Sequence, residues 1–477
     1  MPLDSRTSMC IPLFLLGAAI TASFLASSGP VQWMDNGMFL ANAHEGQYFS
    51  QSLGPLEHPF YQLFNTVFFN LFGARSLSLL NSVLLLSLAW VVYRLAQSVG
   101  VGAGARQALL AAAATTLTHN VFWVSTKAEV YLLHTLLVLL AYALYFNNSP
   151  VLTPLKKLFA IGVLTGLAAS VHQLTFVVLL PLYLHLLFQH KARVLITLPG
   201  FMLGFAAAAV AVINDLNAGM GLLDIAHRYM TGASATVAGP EWEGSLLRFD
   251  KLLEEKSAVA LLLLSLIGPQ LAGLLLFPKG NRLRLLWSAA LLNLVFAISY
   301  NVTDRFTFFL PGAAILTILG MIQLRRILPR TAARGTLLSL SALSAPVVIL
   351  LTYSLYAYGV ITLPAHKEQL PYRDDIRYFM VPYLRDRSAE HFVRAYEPVV
   401  PRGALIIADW TPMGAMRSAQ AIGLLAGRTL ATCDDDVAIR AAMRSNGVYL
   451  PRLSYCATVA QDHRLEEQPV GYSLHAE

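Results

Sequence analysis

A succession of long apolar runs constrains the fold of this chain more than any other feature. About eleven runs approach the ~20 residues that an α-helix needs to cross a bilayer. Only 13% of the 477 residues are charged, which is too few for a soluble protein of this length. We therefore predict an α-helical polytopic membrane protein. The predicted transmembrane helices lie near 9–28, 78–97, 107–122, 130–147, 157–172, 173–188, 194–214, 257–277, 285–300, 307–324 and 336–358.

The first run allows two interpretations. Residues 10–26 follow Arg6 and end in small residues, as a cleavable signal peptide does. However, the run is long for the apolar part of a signal peptide, and the residues directly after it carry polar groups suited to function. We therefore favour an uncleaved membrane anchor.

The distribution of cationic residues orients the predicted helices. With the N-terminus in the cytoplasm, five loops on that side hold clusters of Lys and Arg, whereas the opposite short loops hold only a few. The cytoplasmic cations are Arg94, Arg106, Lys156, Lys157, Lys191, Arg193, Lys279, Arg282, Arg284, Arg325, Arg326, Arg330 and Arg334. The net charge of +7 thus follows from membrane topology, and we expect no nucleic-acid partner. A first loop at 29–77, a loop at 214–256 and a tail from 359 lie outside.

Residues 58–73 within the first external loop are ambiguous. Their sequence, HPFYQLFNTVFFNLFG, has the length of a short span but is rich in Phe and Asn. Counting it as a span would invert every later loop and put the cation clusters outside. We therefore predict an interfacial amphipathic helix that lies on the membrane.

The tail has the pattern of a small α/β domain. Its predicted elements are strands at 404–409 and 448–450 and helices at 413–426 and 434–445. Cys433 and Cys456 would form a disulfide in an oxidising compartment. The sequence thus predicts a transmembrane module at 1–358 and an extracytoplasmic α/β domain at 359–477.

Five uncommon polar residues lie at the ends of predicted helices, and the orientation puts all five on the extracytoplasmic side. They are Asp35, His58, Glu129, His172 and Asp304. Ionisable groups beside hydrocarbon are costly and are usually kept for function. Their convergence on one face predicts a reaction centre where the membrane meets water.

Asp35 and His58 each have a chemical and a structural interpretation. A carboxylate at the membrane surface can take a proton from an incoming hydroxyl or orient a sugar, but Asp35 could instead cap the next helix. Histidine can donate to a phosphate or carry a proton near neutral pH. Alternatively, His58 only begins a helix that has Pro59 in its first turn.

Similar alternatives hold further along the chain. Lys127 can bind a lipid phosphate and Glu129 can orient a sugar hydroxyl, or the two form a simple interfacial ion pair. Arg305 can bind a phosphate bidentately, or form a local salt bridge with Asp304. His172 lies in a tight turn and gains interest only because it shares a face with the others.

Several chemistries lack support in the sequence. It has no Walker loop, no GxGxxG that opens a helix, no HExxH and no GxSxG. Nucleotide chemistry, zinc proteolysis and serine hydrolysis are therefore unsupported. No metal motif is evident, but a divalent metal stays open, because Asp35, Glu129 and Asp304 could supply oxygen ligands. A lipid-linked sugar already carries its leaving group, so we expect no cofactor beyond that donor.

These segments resemble the GT-C superfamily of membrane glycosyltransferases, and most closely the bacterial relatives of transmembrane protein O-mannosyltransferase. The resemblance runs from the first helix through the tail, in short motifs whose order and spacing together are fairly specific. The motifs are MDNGMF after the first helix, HP before an amphipathic helix that ends in LFG, AEVY, VHQ, YNVTDRFTFFLP and ALIIADW.

The resemblance implies an inverting transferase in the bacterial inner membrane, with its tail on the periplasmic side. It would move a sugar from a polyprenyl-phosphate carrier to an extracytoplasmic protein or glycan. Asp35 would be the catalytic base, and Arg305 and Lys127 would hold the carrier phosphate. The predicted substrate-binding residues are His58, Glu129, His172 and Asp304.

The chain also departs from the family pattern. It has Met38 where an acidic residue is usual, and Phe60 and Tyr61 where a Pro-Gly pair is usual. The Met38 departure leaves open an inactive scaffold in envelope glycan assembly, and the polar residues at helix ends leave open a transporter or flippase for a lipid-linked intermediate. Transporters usually carry inverted repeats and charges at the membrane midplane, and neither is evident in the sequence.

Overall fold

The computed structural model describes residues 7–48, 57–100, 104–147, 153–232, 243–252, 256–329, 331, 333–362, 370–380, 386–453, 456–461 and 463–475. Most of these residues are helical. The first eighteen helices are α1 (Thr7–Ala26), α2 (Met34–His44), α3 (Pro59–Phe72), α4 (Ser76–Val99), α5 (Ala105–Thr116), α6 (His119–Val124), α7 (Tyr131–Phe146), α8 (Pro154–Val171), α9 (Leu174–His190), α10 (Thr197–Gly204), α11 (Ala206–Asn217), α12 (Leu222–Thr231), α13 (Lys256–Leu264), α14 (Pro269–Leu275), α15 (Asn281–Ser299), α16 (Arg305–Phe308), α17 (Leu310–Ile327) and α18 (Arg334–Ala357).

The tail combines short helices with a sheet. Its elements are α19 (Asp375–Met380), α20 (Ser388–Tyr396), β1 (Leu405–Ile407), α21 (Trp410–Ala421), β2 (Thr429–Ala431), α22 (Asp436–Met443), β3 (Val448–Leu450), α23 (Ala457–Gln461), β4 (Arg464–Glu467) and β5 (Tyr472–His475). The predicted external loops 29–77 and 214–256 each include residues outside the described ranges.

All eleven predicted runs are helical, but some are short or broken. Within the described residues, seven helical stretches are long and apolar enough to cross a membrane, or eight if α13 and α14 count as one span. These two helices meet at 98°, at Gly268, which has a φ of +105°, and Pro269, which begins α14. The polytopic helical fold is thus confirmed, with seven or eight full-length candidates where the sequence suggests about eleven.

The predicted helix at 58–73 is present as α3 and is separate from α4. Helical structure continues over 41 residues from Pro59 to Val99. A straight helix of that length would be about 60 Å long, roughly twice the hydrocarbon thickness of a bilayer. Gly73, with φ +56° and ψ −134°, ends α3. The two helices also contact each other, but α3 otherwise packs on α2 and α8, whereas α4 packs mainly on α5 and α7. The position of α3 on the membrane surface stays a prediction.

The tail forms a mixed sheet of the order β2-β1-β3-β5-β4. β1 is parallel to β2 and β3, and β5 is antiparallel to β3 and β4. The predicted strand at 448–450 is β3 itself, and the predicted helix at 413–426 begins earlier, at Trp410, because the Asp409 side chain caps it. The expected disulfide joins Cys433 and Cys456, whose Cα atoms are 5.4 Å apart. The strands β2, β4 and β5 were not predicted because they are short, and because β2 is partly exposed and β4 largely exposed.

The sheet packs against the helical part rather than standing apart from it. Leu405 and Ile407 on one face of β1 belong to a small core within the tail. Ile406, on the opposite face, belongs to the large core that also contains the membrane helices. Because side chains alternate along a strand, β1 joins the two cores. The tail also contacts the predicted first external loop, because α21 packs on α2.

Candidate active site

Helix α2 brings two polar residues to the centre of the site. Asp35 lies in its first turn, and Trp33 holds the N-cap position, so Asp35 does not cap the helix. The Asn36 amide donates to the Glu129 carboxylate at 2.8 Å and to the Ala128 carbonyl at 2.9 Å. These bonds hold the loop between α6 and α7 against α2.

Asp35, Glu129 and Asp304 form a cluster of carboxyl groups, although they come from three separate segments. Burial raises the pKa of Glu129 well above its ordinary value, and the negative charges of Asp35 and Asp304 raise it further. Burial also raises the pKa of Asp35, and a hydrogen bond from the Trp410 indole acts in the opposite direction. A carboxylate with a raised pKa is a stronger base, so this cluster can take up a proton from a substrate hydroxyl.

His58 and His172 stack on each other, and the His172 ring centroid lies 5.4 Å from that of Tyr131, which interacts electrostatically with all three carboxyl groups. The ring centroids of the two histidines are 5.1 Å apart and their planes differ by 19°. His58 Nδ1 donates to the Val171 carbonyl at 2.6 Å, so Nε2 of the neutral ring is an acceptor. Burial lowers the pKa of His58 to about 4, despite this hydrogen bond. At neutral pH, His58 is therefore suited to accept from a sugar hydroxyl, and not to donate to a phosphate as one of its sequence interpretations proposes.

His172 adopts the complementary tautomer. Its Nδ1 accepts the backbone N–H of Leu174 at 3.0 Å, which places the ring proton on Nε2. A third histidine, His134 in α7, has its ring centroid 5.8 Å from that of His172. His134 was not among the predicted site residues, although an ionisable residue within an apolar helix is itself a signal of function.

Lys127 is enclosed rather than directed to the membrane. Its side chain is fully buried, and its ammonium donates to Ser28 Oγ at 2.7 Å and lies 3.4 Å from the Asp386 carboxylate. Burial lowers the pKa of Lys127, although Asp386 acts against this shift. The ion pair of Lys127 is therefore with Asp386 in the tail, where the sequence suggested Glu129. Phosphate binding by Lys127 stays a prediction that this geometry does not favour.

Arg305 is also buried, at the start of α16. Its guanidinium donates to the Val302 and Ile298 carbonyls, at 3.1 and 3.4 Å, and to Asn301 Oδ1 at 2.9 Å. These acceptors surround the C-terminal end of α15, where carbonyl groups need donors. In this conformation Arg305 stabilises the turn between two helices, and its role in phosphate binding stays a prediction.

The tail supplies residues that the sequence analysis did not identify. The Tyr378 hydroxyl donates to Asn36 Oδ1 at 3.3 Å, and the Tyr378 ring lies 4.5 Å from the Lys127 ammonium. The Arg373 guanidinium lies 4.4 Å from the same ring. Asn36 and Tyr378 are 342 positions apart, and a contact over that separation leaves no local pattern in the sequence.

Within the part of the chain that the structure describes, no group of three or more His, Cys, Asp or Glu side chains is arranged to hold a metal ion. The three clustered carboxyl groups thus interact electrostatically without forming a set of ligands.

No family model matches the chain, and no curated protein matches it in sequence. Solved structures match in fold. ArnT from Cupriavidus metallidurans in the apo state has a TM-score of 0.58 at 12% identity, covering 97% of this chain and 97% of that chain. ArnT bound to undecaprenyl phosphate gives the same TM-score and coverage at 11% identity.

The archaeal oligosaccharyltransferase AglB from Archaeoglobus fulgidus, in complex with an inhibitory peptide and a dolichol-phosphate, has a TM-score of 0.47 at 13% identity. That match covers 98% of this chain and 74% of that chain. This similarity is too low to support an inference about the site. The match to ArnT, by contrast, extends over nearly the whole of both chains and shows that this chain has an ArnT-like fold, as the predicted polytopic helical architecture requires. The closer resemblance to protein O-mannosyltransferase stays a prediction.

Proposed function

We propose that this protein is a GT-C glycosyltransferase, which moves a sugar from a polyprenyl-phosphate carrier to an extracytoplasmic protein or glycan. The single observation that carries the proposal is the carboxyl cluster, in which Asp35 and Glu129 lie together next to helix ends in an ArnT-like fold. The form of ArnT bound to undecaprenyl phosphate supports the same class of donor. We further propose that the protein lies in the bacterial inner membrane, with its tail in the periplasm.

In the proposed reaction, Asp35 is the base. Its carboxylate takes the proton of an acceptor hydroxyl as the acceptor oxygen attacks the anomeric carbon of the donor. The new bond joins that carbon to the acceptor oxygen, and the bond to the carrier phosphate breaks on the opposite face. The electron pair leaves with the polyprenyl phosphate, and the configuration at the anomeric carbon inverts. A lipid-linked phosphate is already an activated leaving group, so no nucleotide is needed.

The other residues of the site would orient the sugar. Asn36 fixes the Glu129 carboxyl group, which can then hydrogen-bond to a sugar hydroxyl. His58 offers an acceptor nitrogen, and His172 offers a ring N–H, so the stacked pair can bind a hydroxyl from both sides. Arg305 would reach a phosphate only after leaving the carbonyl groups that it holds in this conformation.

The test is sugar transfer in proteoliposomes. Purified protein is incubated with tritiated polyprenyl-phosphate mannose and, separately, with lipid-linked sugars extracted from cells that express the chain. Transfer is measured as label in the protein and glycan fractions. We expect Asp35→Asn to reduce transfer by at least about 100-fold, the typical contribution of a general base.

Asp434→Asn is the matched control, because Asp434 is an exposed carboxylate in the tail. Thermal unfolding in detergent verifies that both variants are folded. Full transfer by Asp35→Asn would remove Asp35 from the proposed role. Movement of the lipid across the bilayer without any transfer product would support the flippase alternative. An inactive protein that purifies with a separate transferase would support the scaffold alternative.

A further inference from the structure

Helices α2 and α21 pack backbone against backbone beside the carboxyl cluster. A Cβ atom on Gly37 would collide with the Gly414 carbonyl, and one on Gly414 would collide with the Met34 carbonyl. Two glycines at the crossing therefore let the helix of the first external loop touch the helix of the tail directly. Because interiors are close-packed, this contact also defines how far α21 can slide along α2.

Trp410 lies one helical turn before Gly414 and so shares its face of α21. From there, the Trp410 indole N–H donates to Asp35 Oδ1. Within the described part of the chain, this is the hydrogen bond made by the Asp35 carboxyl group, and it leaves Oδ2 to accept a proton. The indole is neutral, so it orients the carboxylate without pairing its charge.

The start of α21 is anchored to the tail by a buried ion pair. The Asp409 carboxylate accepts the Thr411 N–H at 3.1 Å, which caps the helix. The same carboxylate receives two hydrogen bonds from the Arg452 guanidinium, at 2.8 and 2.7 Å. Both side chains are buried, and Arg452 follows strand β3 closely. Trp410 is thus held by a continuous series of contacts from the sheet to the site.

We propose that the tail is part of the catalytic apparatus, with Trp410 as a positioning residue that orients the Asp35 carboxylate toward the acceptor. This inference rests on the proposed function, since it assigns Asp35 the role of base. The tail would then set the orientation of the base that takes the proton, in addition to any contact with the acceptor molecule. A misplacement of a catalytic group by about 1 Å can lower the rate about 100-fold, so a contact that orients Asp35 can affect catalysis.

A direct test observes the indole N–H by ¹⁵N NMR of the full chain in nanodiscs. The chain has six tryptophans, so the Trp410 signal can be assigned by its loss in Trp410→Phe. We expect its chemical shift to titrate as Asp35 ionises, and this titration to disappear in Asp35→Asn. The other titratable groups that interact with Asp35 are Glu129, Tyr131 and Tyr300, and Asp304 interacts with the same three groups. The titration should therefore persist in Glu129→Gln. A Trp410 signal that Asp35→Asn leaves unchanged would overturn the proposal.

The kinetic test compares Trp410→Phe with Trp90→Phe, whose indole is exposed on α4. Loss of orientation should lower kcat by about 10- to 100-fold with little change in KM. It should also move the acid limb of the rate profile to higher pH, because a hydrogen bond to the charged carboxylate has been removed. Wild-type kcat and pH profile in Trp410→Phe, with Asp35→Asn inactive, would leave the proposed function intact and refute the positioning role. An active Asp35→Asn would instead refute the proposed base itself.

Discussion

The Lys127 ammonium and the Asp386 carboxylate lie 3.4 Å apart, and both side chains are buried. This salt bridge joins the loop between α6 and α7 to the segment that enters the tail. The positive charge of Lys127 keeps the pKa of Asp386 below its ordinary value, although burial acts to raise it. The tail therefore reaches the site through an ionic contact as well as through α21.

Removal of one partner of this pair should be strongly destabilising. Asp386→Asn leaves the Lys127 ammonium buried without its counter-charge, at an expected cost of about 3–5 kcal/mol. The double variant Lys127→Met/Asp386→Asn should recover much of that loss because no uncompensated charge remains. Thermal unfolding midpoints in one detergent measure both effects. Asp250→Asn breaks an exposed ion pair with Arg248 and should change little. Equal midpoints for Asp386→Asn and Asp250→Asn would contradict the prediction.

The glycine contact between α2 and α21 should tolerate no added methyl group. Gly37→Ala and Gly414→Ala each force backbone atoms apart, at an expected cost of about 1–3 kcal/mol. Gly17→Ala in α1 is the control, because nothing lies within 4 Å of the added Cβ. Proteolysis of the folded protein should be faster in the first two variants, since the tail docks less tightly. Identical digestion of all three variants would show that the crossing is more open than the structure indicates.

His58 has a left-handed backbone conformation, with φ +57° and ψ +53°. Substitution by Gly or by Ala removes the same ring, but only Gly adopts this conformation without steric cost. We expect His58→Gly to be more stable than His58→Ala by about 1 kcal/mol in thermal unfolding. The same two substitutions at Asn70, an exposed helical position in α3, should give the opposite order. A more stable His58→Ala would mean that residue 58 leaves the left-handed region when the ring is absent.

Local patterns in the sequence were sufficient to predict the helices and the convergence of some site residues. Apolar runs and cation clusters depend on neighbouring residues, so α1, α4 and α8 follow directly from them. The convergence of Asp35 and Glu129 could be predicted because one orientation rule applies to every helix end. The partners of these residues could not. Trp410 and Asp35 are 375 positions apart, and neither segment carries a sequence pattern that indicates a contact with the other.

The charged residues show the same limit in another way. Lys127 and Arg305 lie next to predicted helix ends, and binding of the lipid phosphate was predicted for both. The sequence does not show which side chains turn inward, so it could not exclude the other partners. In the structure Lys127 faces Asp386, and Arg305 faces the end of α15. Both directions are set by tertiary packing, which determines whether a cation meets solvent, a carboxylate or a carbonyl.

The pH dependence of sugar transfer should report the ionisation of Asp35 within the carboxyl cluster. Asp35 acts as a base only when ionised, and burial raises its pKa above the ordinary value of about 4. The value of kcat/KM should therefore reach its maximum above the raised pKa and should fall as the pH drops through it. Burial and the charges of Asp35 and Asp304 raise the pKa of Glu129 well above its ordinary value, so Glu129 is uncharged where Asp35 ionises, and Glu129→Gln should leave this acid limb of kcat/KM in place. Asp434→Asn, at an exposed carboxylate of the tail, is the control and should leave the limb unchanged as well. An acid limb at or below the ordinary carboxyl pKa, or one that Glu129→Gln shifts, would show that ionisation of Asp35 does not govern proton transfer.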